Sequence, residues 1–277
     1  MQHAKVAETF SLRSGEGTLA FRASGARTVA ETCIARSPLK LLMPKNHGAF
    51  AWVFAANFGG GLVDGDALTI RARVHTGAGA LLGTQSAQKV YRSPSGCRQE
   101  LAADVADAAS LVVLPDPVSP FAGARYSQAT TLRLGASASL IFLDGVTCGR
   151  SARGERWDFA RYASRTRIER AGELVLLDAT LLDPAHGDLR ERMGRFDALA
   201  TLVALGPRFV SVVRSVLAAP GPLSRRADVL SQASPLGDDG VILRIAGTSV
   251  ENVARAVRAA LRNLPETLGD DPFARKW

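Results

Sequence analysis

The sequence predicts a mostly β fold built from many short strands, with about two α-helices in the C-terminal third of a single 277-residue domain. Three observations lead there. Apolar and polar residues alternate with period two through the first two-thirds of the chain. Turn-forming residues cut that alternation at short intervals. Helical periodicity appears only late, in two segments. The pattern fits a sandwich, a barrel or a strand solenoid, and spacing alone does not choose among them.

Taken in order, residues 68–75, LTIRARVH, alternate cleanly, with Leu68, Ile70, Ala72 and Val74 inward and Thr69, Arg71, Arg73 and His75 outward. TGAGA is a turn, and LLGTQSAQKVYRS is a second extended run. SLVVLPDPVSPF is an apolar strand that prolines stop. ATTLRLGASASLIFLDG reads as strands around Gly135-Ala136, the last ending at Asp144. RWDFARYASRTRIERAGELVLLDATLL gives a long strand, a turn at Ala171-Gly172 and another strand.

The strands DALATLVAL and VILRIAG flank a helix over residues 207–218, opened by Pro207 after Gly206. Its apolar face is Phe209, Val210, Val213, Val216 and Leu217. The second helix, TSVENVARAVRAALRNLP, carries a capping box from Thr248 to Glu251. Val250, Val253, Ala254, Val257, Leu261 and Leu264 form its stripe, and Pro265 is expected to stop it. The polar tail, residues 266–277, reads as mobile or as ordered only on a partner. There is no exact internal repeat.

The chain carries a formal net charge of +8, and only five of its 34 basic residues are lysine. Arginine suits carboxylate partners. The arginines are scattered, and aromatics are only 6 % and not interleaved with basic runs, which argues against a nucleic-acid binder. No apolar run reaches the roughly 20 residues of a membrane span. The N-terminus, MQHAKVAETFSLRSGEG, lacks the apolar core of a signal peptide, so the expected location is the cytoplasm. Three distant cysteines, Cys33, Cys97 and Cys148, make no disulfide framework, and the four histidines share no ligand spacing, so a stable metal site is not expected.

The stretch NFGGGLVDGDALTIRARVH raises the question of phosphate binding. A dinucleotide fingerprint needs a helix after the glycines, and a P-loop needs Gly-Lys-Ser/Thr at its end. Here a strand pattern follows and the lysine is absent. The glycines therefore serve a turn that needs positive φ or a close backbone approach. An alternative is a metal-assisted hydrolase using Asp64 and Asp66 beside that turn, as a Mg²⁺ site would want such oxygens. No Lys, His or Ser supports it in the right local context.

GGGLVDGD, GTQSAQKVYRS, LPDPVSPFAGARY and DGVTCGRSARGERWDF follow one another in that order, preceded by SPLKLLMP. This ordered set resembles the UreD (UreH) family of urease accessory proteins over about residues 10–265. Two departures touch the turn: Asp64 stands where the family often has Gly, and Asn57-Phe58 where it often has Pro-Gly. The resemblance implies a helically wound strand fold and a scaffold without catalysis of its own. It implies binding of apo-urease, of UreF and through it of the GTPase UreG, with a homodimer in the complex left open. It also implies help with nickel insertion, with no resident cofactor and only transient nickel.

A conduit for Ni²⁺ should offer spaced carboxylates rather than a closed cage. Asp66, Asp144, Glu155 and Asp178 lie at or beside the motifs, and Glu173 lies in GELVLLD. The resemblance carries the nickel route to Asp66, Asp144 and Glu173. Turn capping remains the ordinary alternative for the aspartates. Lys89, Tyr91 and Arg92 are candidate interface residues, Lys89 and Tyr91 sharing one strand face. Arg150 and Arg153 could clamp an acidic partner or, more ordinarily, the fold's own Glu155 and Asp158.

Overall fold

The computed structural model describes residues 12–219 and 226–274. The chain opens with the antiparallel pair β1 (Glu16–Ser24) and β2 (Arg27–Ala35), then β3 (Leu39–Leu42) and β4 (Ala51–Asn57). From β4 it coils, one strand to each of two sheets in turn. One sheet receives β5 (Ala67–Val74), β8 (Cys97–Val105), β11 (Arg125–Leu134) and β15 (Arg161–Arg170), all parallel. The other receives β4, β6 (Gly79–Thr84), β9 (Ser110–Leu114) and β12 (Ser139–Thr147), also parallel. Short pieces turn the corners: β7 (Gln88–Val90), β10 (Val118–Pro120) and the ribbon β13 (Gly149–Arg150) with β14 (Glu155–Arg156). The helically wound strand fold that the resemblance implies is the one observed.

An antiparallel strand, β16 (Glu173–Leu182), closes the first sheet, whose order is β16-β15-β11-β8-β5-β1-β2. After α1 (Leu189–Met193), the strands β17 (Ala198–Leu205), β18 (Val229–Leu236) and β19 (Gly240–Gly247) extend the second. Its main path is β18-β19-β17-β12-β9-β6-β4-β3. The helices α2 (Val210–Leu217), α3 (Val250–Ala260) and α4 (Leu264–Leu268) cover its far face.

These layers explain the sequence pattern. The second sheet is covered on both sides, so β6 and β9 are buried throughout and read as unbroken apolar runs. Leu82, Val113 and Phe142 point into the coil, while Leu81, Val112 and Ile141 meet the helices. The first sheet has one wet face, which is why LTIRARVH alternates as expected. A structural repeat underlies the coil although the letters do not repeat. Val74, Val105 and Leu134 stack in register, as do Ala80, Leu111 and Leu140. Each connecting turn closes on a buried alanine, with Ala78 N–H donating to His75, Ala109 to Ala106 and Ala138 to Gly135.

Several expectations are corrected. The run LLGTQSAQKVYRS is not one strand but β6 and β7 around a bend. The first late helix starts with a 3-10 turn, Pro207–Phe209, and its buried face is Phe209, Val212, Val213 and Val216, while Val210 and Leu217 are exposed. In the second, Ser249 is the N-cap and not Thr248, because Ser249 is extended and its hydroxyl accepts the Asn252 N–H. Ala254 is exposed. The helix ends before Pro265, which instead sits in the first turn of α4, where a missing N–H costs nothing. The short α1 and α4 bring the α-helices to four among the described residues. The tail is docked through residue 274: Leu268 is buried, Phe273 packs on the helix layer and Asp270 accepts the His47 N–H. Residues 275–277 lie outside the described part.

Candidate functional site

A polar seam crosses the interior of the coil. One rung of the first sheet presents Leu68, Gln99, Gln128, Ser164 and Thr180 inward, in register across five strands. It faces Asp144, which occupies the inward phase of β12 after Leu140 and Phe142. Gln128 Nε2 donates to Asp144 Oδ1 at 2.6 Å and Ser164 Oγ donates to Oδ2 at 2.6 Å. Gln128 is held in turn by Tyr126, whose hydroxyl donates to Gln128 Oε1 at 3.0 Å. Tyr126 stacks on Tyr162 with ring centroids 5.9 Å apart.

Asp144 borders two cavities. The smaller, about 70 Å³, is lined by Thr84, Gln99, Asp116 and Gln128, among others. The larger, about 320 Å³, runs past Tyr162, Thr180 and Thr201 to Arg244. Asp144 and Gly145 line both, so its accessible surface faces these spaces. Thr84 and Asp116 are joined at the far end of the smaller one, through Thr84 Oγ1 to Asp116 Oδ2 at 2.8 Å. At the other end Arg244 bonds Asp178 at 2.7 Å, tying the two sheets together.

Burial raises the Asp144 carboxyl above the usual carboxylate range, against the hydrogen bonds from Ser164 and Gln128 that lower it; the Asp178 charge adds to the rise. Burial also pushes the Cys97 and Cys148 thiols up to about 11, which leaves them protonated at neutral pH and poor metal ligands. Among the described residues no group of three or more His, Cys, Asp or Glu is placed to hold a metal. The seam therefore offers single carboxylates separated by amides and hydroxyls.

The other expected residues lie elsewhere. Asp66 Oδ2 accepts the Val63 N–H at 2.9 Å and Asp64 Oδ1 accepts the Ser95 and Gly96 N–H groups at 2.8 and 3.1 Å. Both hold turns at the foot of the coil. Glu173 is exposed at the opposite hairpin, seven residues along β16 from Thr180, which is roughly 23 Å of strand. Of the three residues assigned to the route, only Asp144 is on the seam.

The glycine run is a turn. Gly59 and Gly60 have φ of +87° and +69°. Gly61 has a different reason: a Cβ there would lie 2.6 Å from Tyr91 Cε2. Tyr91 packs edge-on against Phe121, and Val90 is fully buried. Lys89 and Arg92 are exposed. Arg150 grips Glu155 with two nitrogens and lies over the Phe121 ring at 4.2 Å, the intramolecular alternative. Arg153 is exposed on the 3-10 turn that follows, and Asp158 pairs instead with Arg190.

Sequence reasoning missed Gln128, Ser164, Thr84 and Asp116. The signal was present for one of them: in RYSQATTLRL the inward phase reads Tyr126, Gln128, Thr130, Leu132, which places an amide on a core phase.

The profile described as "UreD urease accessory protein" matches residues 13–277. The chain belongs to the UreD family of urease accessory proteins. It is 59 % identical over 265 residues to the "Urease accessory protein UreD" of Sorangium cellulosum, covering 96 % of this chain and 85 % of that one. It is 44 % identical over 269 residues to that of an Anaeromyxobacter species, covering 95 % and 90 %. The "Urease accessory protein D" of Arabidopsis thaliana is 31 % identical over 283 residues, covering 90 % and 96 %. Membership of the UreD family supports a role in urease maturation. No helix among the described residues is long and apolar enough to cross a membrane.

Proposed function

We propose that this chain is a non-catalytic maturation scaffold that binds apo-urease and UreF, with the GTPase UreG joining through UreF, and that it passes nickel to the urease site along the Asp144 seam. Nickel is cargo here. The observation that carries the reading is a carboxylate held between a small cavity in the coil and a more open cleft in a UreD-family chain. Isolated oxygen donors bind Ni²⁺ weakly, which suits transfer rather than storage. Asp116 and Asp178 are the next carboxylates on either side of Asp144, and Asp66 and Glu173 stand at the outer ends of the strands. Proton and metal compete for a carboxyl of raised affinity for protons, so loading at Asp144 weakens as pH falls. The hydrolase alternative gains nothing, since Asp64 and Asp66 are occupied by backbone donors.

The test is urease activation in a strain lacking its own UreD. The wild-type chain, supplied with its cognate UreF, UreG and urease, is expected to restore activity and urease-bound nickel. Asp144→Asn should lower both roughly 10-fold while the complex still co-purifies. Failure of the wild-type chain to activate urease or to co-purify with UreF would end the reading; full activation by Asp144→Asn would end the route.

A further inference from the structure

On the outer face of the first sheet, Arg73 and Arg165 have no ion pair among the described residues, and three other arginines above its foot are answered by a carboxylate. Arg71 meets Glu16, Arg133 meets Asp104 and Glu169, and Arg167 meets Glu169 at 2.6 Å. The foot of the same face is different. Arg125 and Arg161 stand directly opposite in the parallel ladder, and Arg98 stands opposite Ser127 one rung on. All three side chains line a cleft of about 490 Å³, walled by the loop through Ser95, and no carboxylate lines it. Among the described residues the Arg125 guanidinium has no hydrogen bond or ion pair. Arg98 reaches Glu100 only at 4.0 Å, with both side chains more than half exposed. Arg161 lies 3.8 Å from Asp183, whose carboxylate also caps the next turn through the Ala185 N–H.

Like charges directly opposite on a sheet repel. A fold with no use for the cleft would gain by neutralising one of them, and among the described residues no other two arginines of this sheet are paired in register. We propose that this cleft docks an acidic, extended segment of a protein partner, whose carboxylates the three arginines take. The guanidinium fork matches a carboxylate with two parallel hydrogen bonds. Carboxylates on alternate residues of a strand recur at about 6.7 Å, close to the roughly 8 Å diagonal between Arg98 and Arg125. A nucleotide fits less well. The aromatic ring at the cleft, Tyr126, is 2 % exposed and its hydroxyl is spent on Gln128, so no platform is offered to a base.

The proposal stands apart from the maturation reading, because its assay uses neither urease nor nickel. A short fluorescent peptide alternating Asp and Ser is titrated with the full chain at low salt, beside an Asn–Ser peptide, inorganic phosphate and GTP. The Asp peptide should bind and the Asn peptide should not. Arg125→Gln should raise Kd about 10-fold, the loss of one charge-assisted pair. Arg125→Gln with Arg161→Gln should abolish binding, while Arg255→Gln on α3 should leave it unchanged. Thermal melting accompanies each variant: removing a repelling charge should hold or raise Tm. Equal binding by the double variant, a fall in Tm that marks the arginines as structural, or binding of phosphate or GTP without the peptide overturns the proposal.

Discussion

The Asp144 carboxyl is where burial and hydrogen bonding oppose each other, and burial prevails. A free aspartate titrates near 3.9. In the folded chain the value is raised, so the native state binds more protons than the unfolded state between the two values. Stability contributed by this group is greatest below the unfolded value and is lost as pH rises through the folded one. Asp144→Asn is therefore expected to keep or raise Tm at pH 7, with the difference from wild type closing below about pH 4. Calorimetry across a pH series checks this, and a lower Tm at pH 7 would mean that the hydrogen bonds outweigh burial. Gly61 makes a second residue-scale case. Its Cβ position is 2.6 Å from Tyr91 Cε2 and 2.9 Å from the Lys89 carbonyl oxygen. Gly61→Ala should cost about 1–3 kcal/mol in urea unfolding, by overpacking alone.

At the scale of elements, the C-terminal helix locates its start through one hydroxyl. Ser249 is the cap, while Thr248 bonds sideways to Asn252 Nδ2 and Asp228. Ser249→Ala should destabilise by about 1 kcal/mol in denaturant unfolding, and Thr248→Ala by less. An equal loss from both would assign the cap to the pair. The capping-box pattern predicted the helix correctly and its first residue wrongly, because Thr248 and Ser249 both satisfy the cap chemistry and only the extended backbone of Ser249 decides. The α2 face was misjudged for a related reason. Five of its eight residues are Val or Leu, so more than one apolar face can be drawn, and the position of the second sheet selects Val212 over Val210.

For the whole molecule, three layers share two cores. The outer core holds Phe50, Trp52, Leu81, Val112 and Ile141 from the second sheet against Val253, Val257, Leu261 and Leu264. Ending the chain after Gly247 would uncover that face, far beyond the patch size a monomer tolerates. Such a truncation is expected to bind hydrophobic dye more strongly than the full chain. At the open end the sheets are pinned by Arg244 on Asp178 and by Arg170 on Asp239 at 2.7 and 2.9 Å. These pairs join residues far apart in sequence, so no local pattern announces them.

The strand-rich class, the alternation of the outer sheet, the two longer helices and the ordered motifs that mark the family are legible in the letters alone, since each is a local property of composition and period. The coil, the repeat hidden under unlike letters and the polar seam arise only when the strands are packed together. Leu68, Gln99, Gln128, Ser164 and Thr180 become one row only when parallel strands lie in register. The same packing separates Asp66 and Glu173 from Asp144, because a carboxylate's task depends on which donors and cavities the fold brings to it, and those come from other turns of the coil.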